Sequence, residues 1–142
     1  MFQDVVTVFN RREELWYPTV LRGVQVQAAE GAAPTALGGE RTGAVTVLVP
    51  YVPGEPDTVA GKTYLPPKKW RQTAEPEKCV TFTAGERFDA LLLGPWEGAG
   101  PIRDDTWPEG FFARLRRERD GVYAVAAVKR FRSLPHFEIE GR

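Results

Sequence analysis

Cysteine, histidine and methionine occur once each in 142 residues, and nineteen lysines and arginines cancel nineteen aspartates and glutamates. The lone Cys79 has no partner for an internal disulfide, and with the lone His136 it falls short of the ligand set a structural zinc site of the Cys/His kind needs. Stability must therefore come from packing. No apolar run reaches the roughly 20 residues required to cross a bilayer as a helix, and stretches such as residues 122–128 fall far short. The start, Met1-Phe2-Gln3-Asp4, lacks the cationic segment and apolar stretch of a secretory leader, so the chain reads as soluble and not exported, with no membrane partner. What is present suits a single β-rich domain over residues 1–142: 42% hydrophobic and 11% aromatic residues exclude a disordered polyampholyte.

Period-two alternation dominates. Val5, Thr7 and Phe9 alternate with Val6, Val8 and Asn10, and the strand halts at Arg11-Arg12-Glu13-Glu14. Residues 15–27 form a second run, where Pro18 argues for an edge and Gly23 for a bulge or bend. Residues 43–51 alternate again through Val45, Val47 and Val49. Residues 28–42, 50–71 and 94–106 are rich in Gly and Pro and read as long loops, with one short edge strand at 61–65. Residues 79–83 and 88–93, separated by Ala84-Gly85-Glu86, predict a hairpin. The Thr106-Trp107-Pro108-Glu109 stretch has the pattern of a capping box and predicts one short helix over about 107–119, with Phe111, Phe112 and Leu115 as its apolar stripe. Residues 122–131 read as a central strand buried on both faces, and His136 to Glu140 as a final strand. The fold class is thus mainly β, a small antiparallel β-barrel or sandwich with one short helix and long Pro/Gly loops.

Catalytic and cofactor chemistry finds little support. Cys79 opens a β-prone run, where a small buried thiol is ordinary, and His136 begins a strand. Asp104-Asp105 has the makings of a cation site or a hydrolytic pair, yet adjacent acids before a helix more often seat negative charge at its N-terminus. Glu97-Gly98-Ala99-Gly100 lacks the Gly-Lys-Ser/Thr ending of a phosphate loop. No catalytic, cofactor-binding or metal-ligating residue is assigned, and the chain is expected not to be an enzyme.

Two features remain. Arg114, Arg116, Arg117, Arg119, Lys129, Arg130 and Arg132 stand against only Glu118 and Asp120 in that stretch, a local positive zone suited to phosphate contact. A neutral net charge is not that of a dedicated nucleic-acid binder, so a small β-barrel that binds nucleic acid through this zone is the second reading. The aromatics of the proline-rich loops, Tyr51, Tyr64, Trp70, Trp96 and Trp107, with Lys68 and Lys69, are either loop anchors folded inward or hot spots of a protein interface.

Several segments taken together, Asp4-Val5-Val6-Thr7-Val8-Phe9-Asn10, Trp16 with Val20-Leu21-Arg22-Gly23-Val24, Val47-Leu48-Val49-Pro50-Tyr51, Pro67-Lys68-Lys69-Trp70, Thr81-Phe82-Thr83-Ala84-Gly85-Glu86 and the closing His136-Phe137-Glu138-Ile139-Glu140-Gly141-Arg142, resemble a family of small siphophage and prophage proteins. Their genes lie among head-tail joining and tail genes. Where that family has Gly-Asp in a turn, this chain has Gly85-Glu86. The resemblance implies a non-enzymatic virion protein of head-closure, head-tail connector or minor tail type, assembled in the host bacterial cytoplasm. Its implied partners are other phage structural proteins of the connector, neck or tail, with copies of itself in a homo-oligomer and packaged DNA nearby.

Overall fold

The computed structural model describes residues 2–28 and 44–142. Ten strands and two helices follow in order: β1 (Asp4–Arg12), β2 (Leu15–Ala28), β3 (Val45–Pro50), β4 (Thr58–Val59), β5 (Lys62–Tyr64), α1 (Pro67–Trp70), β6 (Cys79–Val80), β7 (Ala90–Leu93), β8 (Ile102–Arg103), α2 (Phe111–Glu118), β9 (Val122–Phe131) and β10 (His136–Gly141). Strands β1, β2, β3, β10, β9 and β7 pair in that order, each antiparallel to the next, and β7 returns to β1. The sheet is thereby closed into a barrel, which leaves no long unpaired edge among these six strands.

Two strands turn the corners. β2 pairs with β1 through residues 15–24 and with β3 through residues 25–28. The change falls at Gly23, which sits at φ 72° as the extra residue opposite Asp4 and Val5. That left-handed conformation is open to glycine at little cost, and it bends the strand. β9 likewise serves β7 with residues 122–124 and β10 from residue 125 onward, with a register shift beside Glu140 and Gly141. Among the described residues Pro18 lies where β1 is the only strand partner of β2, so its missing N–H breaks no ladder there on the other side.

Alternation sorts the side chains into two apolar clusters. Val6, Val8, Leu21, Val24, Val45, Val47, Val49, Leu91, Val125, Phe137 and Ile139 fill the barrel. On the outer face, Phe9 of β1, Ala90 and Leu92 of β7, Val122 of β9 and Trp16 of β2 are covered by Phe111 and Leu115 of α2. A helix of eight residues is marginal by itself in water, so α2 is held by this packing, roughly 2 kcal/mol for each fully buried large side chain. Residues 51–82 fold back over the barrel: β5 pairs antiparallel with β4 and parallel with β6, and Tyr51, Val59, Val80 and Phe82 join the interior cluster.

Four local expectations are corrected. The helix begins at Phe111 rather than near Trp107, because Gly110 at φ 91° interrupts the backbone and residues 104–106 form a separate 3-10 turn. Residues 79–83 and 88–93 do not form a hairpin: β6 pairs with β5, while β7 is inserted between β1 and β9, where long-range pairing outweighs the local turn signal. β9 is central but not buried on both faces, since Ala126 and Lys129 are exposed. The 50–71 segment contains two strands and a four-residue helix, residues 94–106 contain β8 and the 3-10 turn, and Ala28 belongs to β2; the rest of the 28–42 loop lies outside the described residues. No helix among the described residues is long and apolar enough to cross a membrane.

Candidate functional site

The loop aromatics are used internally. Trp70 is 1% exposed, meets Tyr17 edge-on at 5.7 Å and donates its indole N–H to the Pro76 carbonyl at 3.2 Å. Trp96 packs edge-on against Phe9 and Phe111, and Trp107 lies against Phe111 at 5.6 Å. Tyr64 stacks on Phe82 and leans on Phe137, and Tyr51 is buried against Phe137. They anchor loops to the barrel, leaving Lys68 and Lys69 of that set exposed to solvent.

The arginine zone is likewise divided. Arg130 lies over the rings of Tyr51, Tyr64 and Phe137 at 4.7 to 5.4 Å and pairs with Asp57. A hydrogen bond from the Gly54 amide holds Asp57 below the usual carboxylate range, against a smaller push from burial and with further help from Arg130. Arg114 pairs with Glu118, Arg117 with Glu109, and Arg116 stacks over Phe112. Arg119 follows α2, Lys129 lies on β9 and Arg132 follows β9, all three exposed. Three of the seven cations, Arg114, Arg117 and Arg130, are thus held in ion pairs.

Asp104 explains the start of α2. Its Oδ1 accepts Trp16 Nε1–H and the Phe111 N–H, each at 2.9 Å, while Arg11 approaches Oδ2 at 3.4 Å. Burial acts to raise its pKa, but these donors and the Arg11 charge outweigh it and hold the carboxyl below the ordinary range. The carboxylate reaches in because Gly110 has no side chain: a Cβ there would stand 3.2 Å from Oδ1. Asp105 pairs with Arg103 on the surface. The adjacent acids thus serve the helix start and a surface ion pair, and among the described residues no group of three or more His, Cys, Asp or Glu is placed to hold a metal.

Sequence reading missed a buried polar knot. Asn10 Nδ2 donates to the Thr81 carbonyl at 2.7 Å and to Asp89 Oδ2 at 2.8 Å, and Asp89 also accepts the Thr83 N–H at 2.7 Å and the Arg11 N–H at 3.1 Å. Both residues are within 1% of complete burial. Burial pushes the Asp89 carboxyl up to about 7 despite those donors. The knot ties residues 81–83 to β1 beside β7, across sequence separations that no local pattern announces.

The surface feature best suited to function is apolar. Phe2, Leu48, Pro50, Leu134, Pro135 and His136 line a shallow depression of about 380 Å³. Leu134 is 75% exposed and Phe2 38%. The turn that projects Leu134 is stiffened from both sides: His136 stacks flat on Phe131 at 4.8 Å, and its Nδ1–H donates to the Leu134 carbonyl at 2.6 Å. A large apolar side chain held outward by a rigid turn loses little conformational entropy when a neighbour covers it.

The whole chain, residues 1–142, matches the family described as "Family of unknown function (DUF6751)", and the protein belongs to that family. No curated protein and no solved structure matches it.

Proposed function

Starting from membership of a family with no assigned activity, we propose that the protein is a non-enzymatic assembly component that docks onto other proteins through the apolar depression around Leu134. The carrying observation is that rigid, exposed turn beside Phe2, Leu48 and Pro50. A closed barrel supplies a stiff frame, and burying apolar area contributes about 25 cal/mol for each Å² removed from water. The identity of the neighbours rests on the resemblance of the segments quoted above to siphophage head-closure and minor tail proteins. On that reading the partners are connector, neck or tail proteins, copies of the chain associate in the assembled particle, and the place of action is the virion.

Mixing the protein with the connector and tail proteins encoded beside it, followed by light scattering on the separated complexes, tests this. Wild type is expected to form a defined complex and Leu134→Glu to lose it with an unchanged melting temperature. Absence of a complex, or a complex indifferent to Leu134→Glu, rejects the proposal.

A further inference from the structure

The turn between β1 and β2 faces the segments carrying Arg71 and Arg87 across an open cleft of about 570 Å³, and its lining is charged throughout: Arg11, Arg12, Arg71 and Arg87 with Glu13 and Glu86. All four cations are arginines, whose planar forks match phosphate and carboxylate groups with paired hydrogen bonds. Two of the forks are already positioned. Arg12 Nη1 donates to the Thr73 carbonyl at 2.8 Å, while Arg11 donates through Nε to the Glu13 carbonyl at 3.2 Å, pairs through Nη2 with Asp104 Oδ2 at 3.4 Å and rests over Trp16 at 5.0 Å. Arg71 and Arg87 make no ion pair among the described residues. Asp89, whose pKa burial raises, lies near enough for the Arg71 charge to act downward on it, while its oxygens accept from Asn10, the Arg11 N–H and the Thr83 N–H.

Arg12, Arg71 and Arg87, three guanidiniums with no ion pair among the described residues, repel one another around one opening, and a bound anion would relieve that repulsion. Glu13 and Glu86 are both exposed. Their charges oppose a long polyanion such as a nucleic-acid duplex lying across the opening, while a small anion can sit among the arginines. We infer that this cleft is a binding site for a compact oxyanion, a phosphate or carboxylate group borne by a small ligand or by an acidic segment of a partner protein, gripped by Arg71 and Arg87 against the fixed fork of Arg12, with the ion-paired Arg11 beside them. The inference is independent of the docking surface around Leu134.

Calorimetric titration of the full chain at low salt with inorganic pyrophosphate, and separately with a hexaglutamate peptide, tests the site and tells its sources apart. Saturable binding of either probe is expected, weakened about tenfold or more in Arg71→Gln/Arg87→Gln and unchanged in the distant control Arg22→Gln/Lys129→Gln. Pyrophosphate alone points to a small phosphorylated ligand, the peptide alone to an acidic partner segment, and both to the shared chemistry. A second variant, Glu13→Gln/Glu86→Gln, removes the opposing charges and is expected to tighten binding. Binding of neither probe, equal weakening by the control, or no tightening in the glutamate variant overturns the inference.

Discussion

Replacing Asp89 by asparagine is expected to change how stability depends on pH, in a direction set by burial. The folded protein keeps this carboxyl protonated up to about pH 7, whereas the unfolded chain releases the proton near the model value of 3.8. Between those values folding takes up a proton, so this group's contribution is fully present below the unfolded pKa and is lost as pH rises through the folded one. Three pKa units at about 1.4 kcal/mol each set the loss at about 4 kcal/mol. Asp57, Asp104, Asp105 and Glu109, all held below their ordinary ranges, act in the opposite sense at lower pH, and comparing wild type with the variant cancels them. Asparagine turns an amide N–H toward the donors that Asp89 accepts, as the protonated carboxyl turns its O–H, so the two neutral forms share that cost of about 1–3 kcal/mol. The stability of Asp89→Asn relative to wild type is therefore expected to rise by about 3 kcal/mol between about pH 5 and about pH 8. Urea unfolding followed by tryptophan fluorescence across that range, with the denaturant slope checked for constancy, measures it. A gap that stays flat refutes the reasoning, because it means the three donors already keep the carboxylate ionised at pH 5.

Asp104→Ala removes the acceptor shared by Trp16 and Phe111 and should cost about 2–4 kcal/mol in thermal or urea unfolding. Its acid limb should also be flatter than that of wild type, since a carboxyl with a lowered folded pKa contributes stability that is lost as pH falls through that pKa. Gly141→Ala would place a Cβ 2.8 Å from Tyr123 Cβ and 3.0 Å from Val45 Cγ1, both on the barrel wall, and should lower stability by about 1–3 kcal/mol. Arg130→Lys loses the guanidinium contact with the rings of Tyr51, Tyr64 and Phe137 and should cost about 1–2 kcal/mol, while Arg116→Ala on the exposed side of α2 should stay within about 0.5 kcal/mol, so equal effects in melting experiments would contradict the placement.

The strands were legible where one face is buried and the other is not. Val45, Val47 and Val49 point into the barrel at period two, and Gly23 marked the bend of β2 because few other residues accept its φ of 72°. Loop aromatics were visible as residues but not as to direction, since a tryptophan such as Trp70 has the same local sequence whether it anchors a loop or faces a partner. Local chemistry misled where distant groups compete for the same backbone. The Thr106 and Glu109 pattern lost the start of α2 to Asp104, which reaches Phe111 past a glycine, and the Gly85 turn lost its hairpin to the open slot between β1 and β9.

Composition and alternation by themselves determined an antiparallel β-rich protein stabilised by packing, because side-chain period and the chemistry of glycine and proline act within a few residues. Closure of the barrel, the burial of Asp89 against Asn10, the turn that holds Leu134 outward and the gathering of Arg11, Arg12, Arg71 and Arg87 were decided only by the tertiary structure. Each depends on which distant segments meet, and that is settled by the collective burial of the core rather than by any short stretch of the chain.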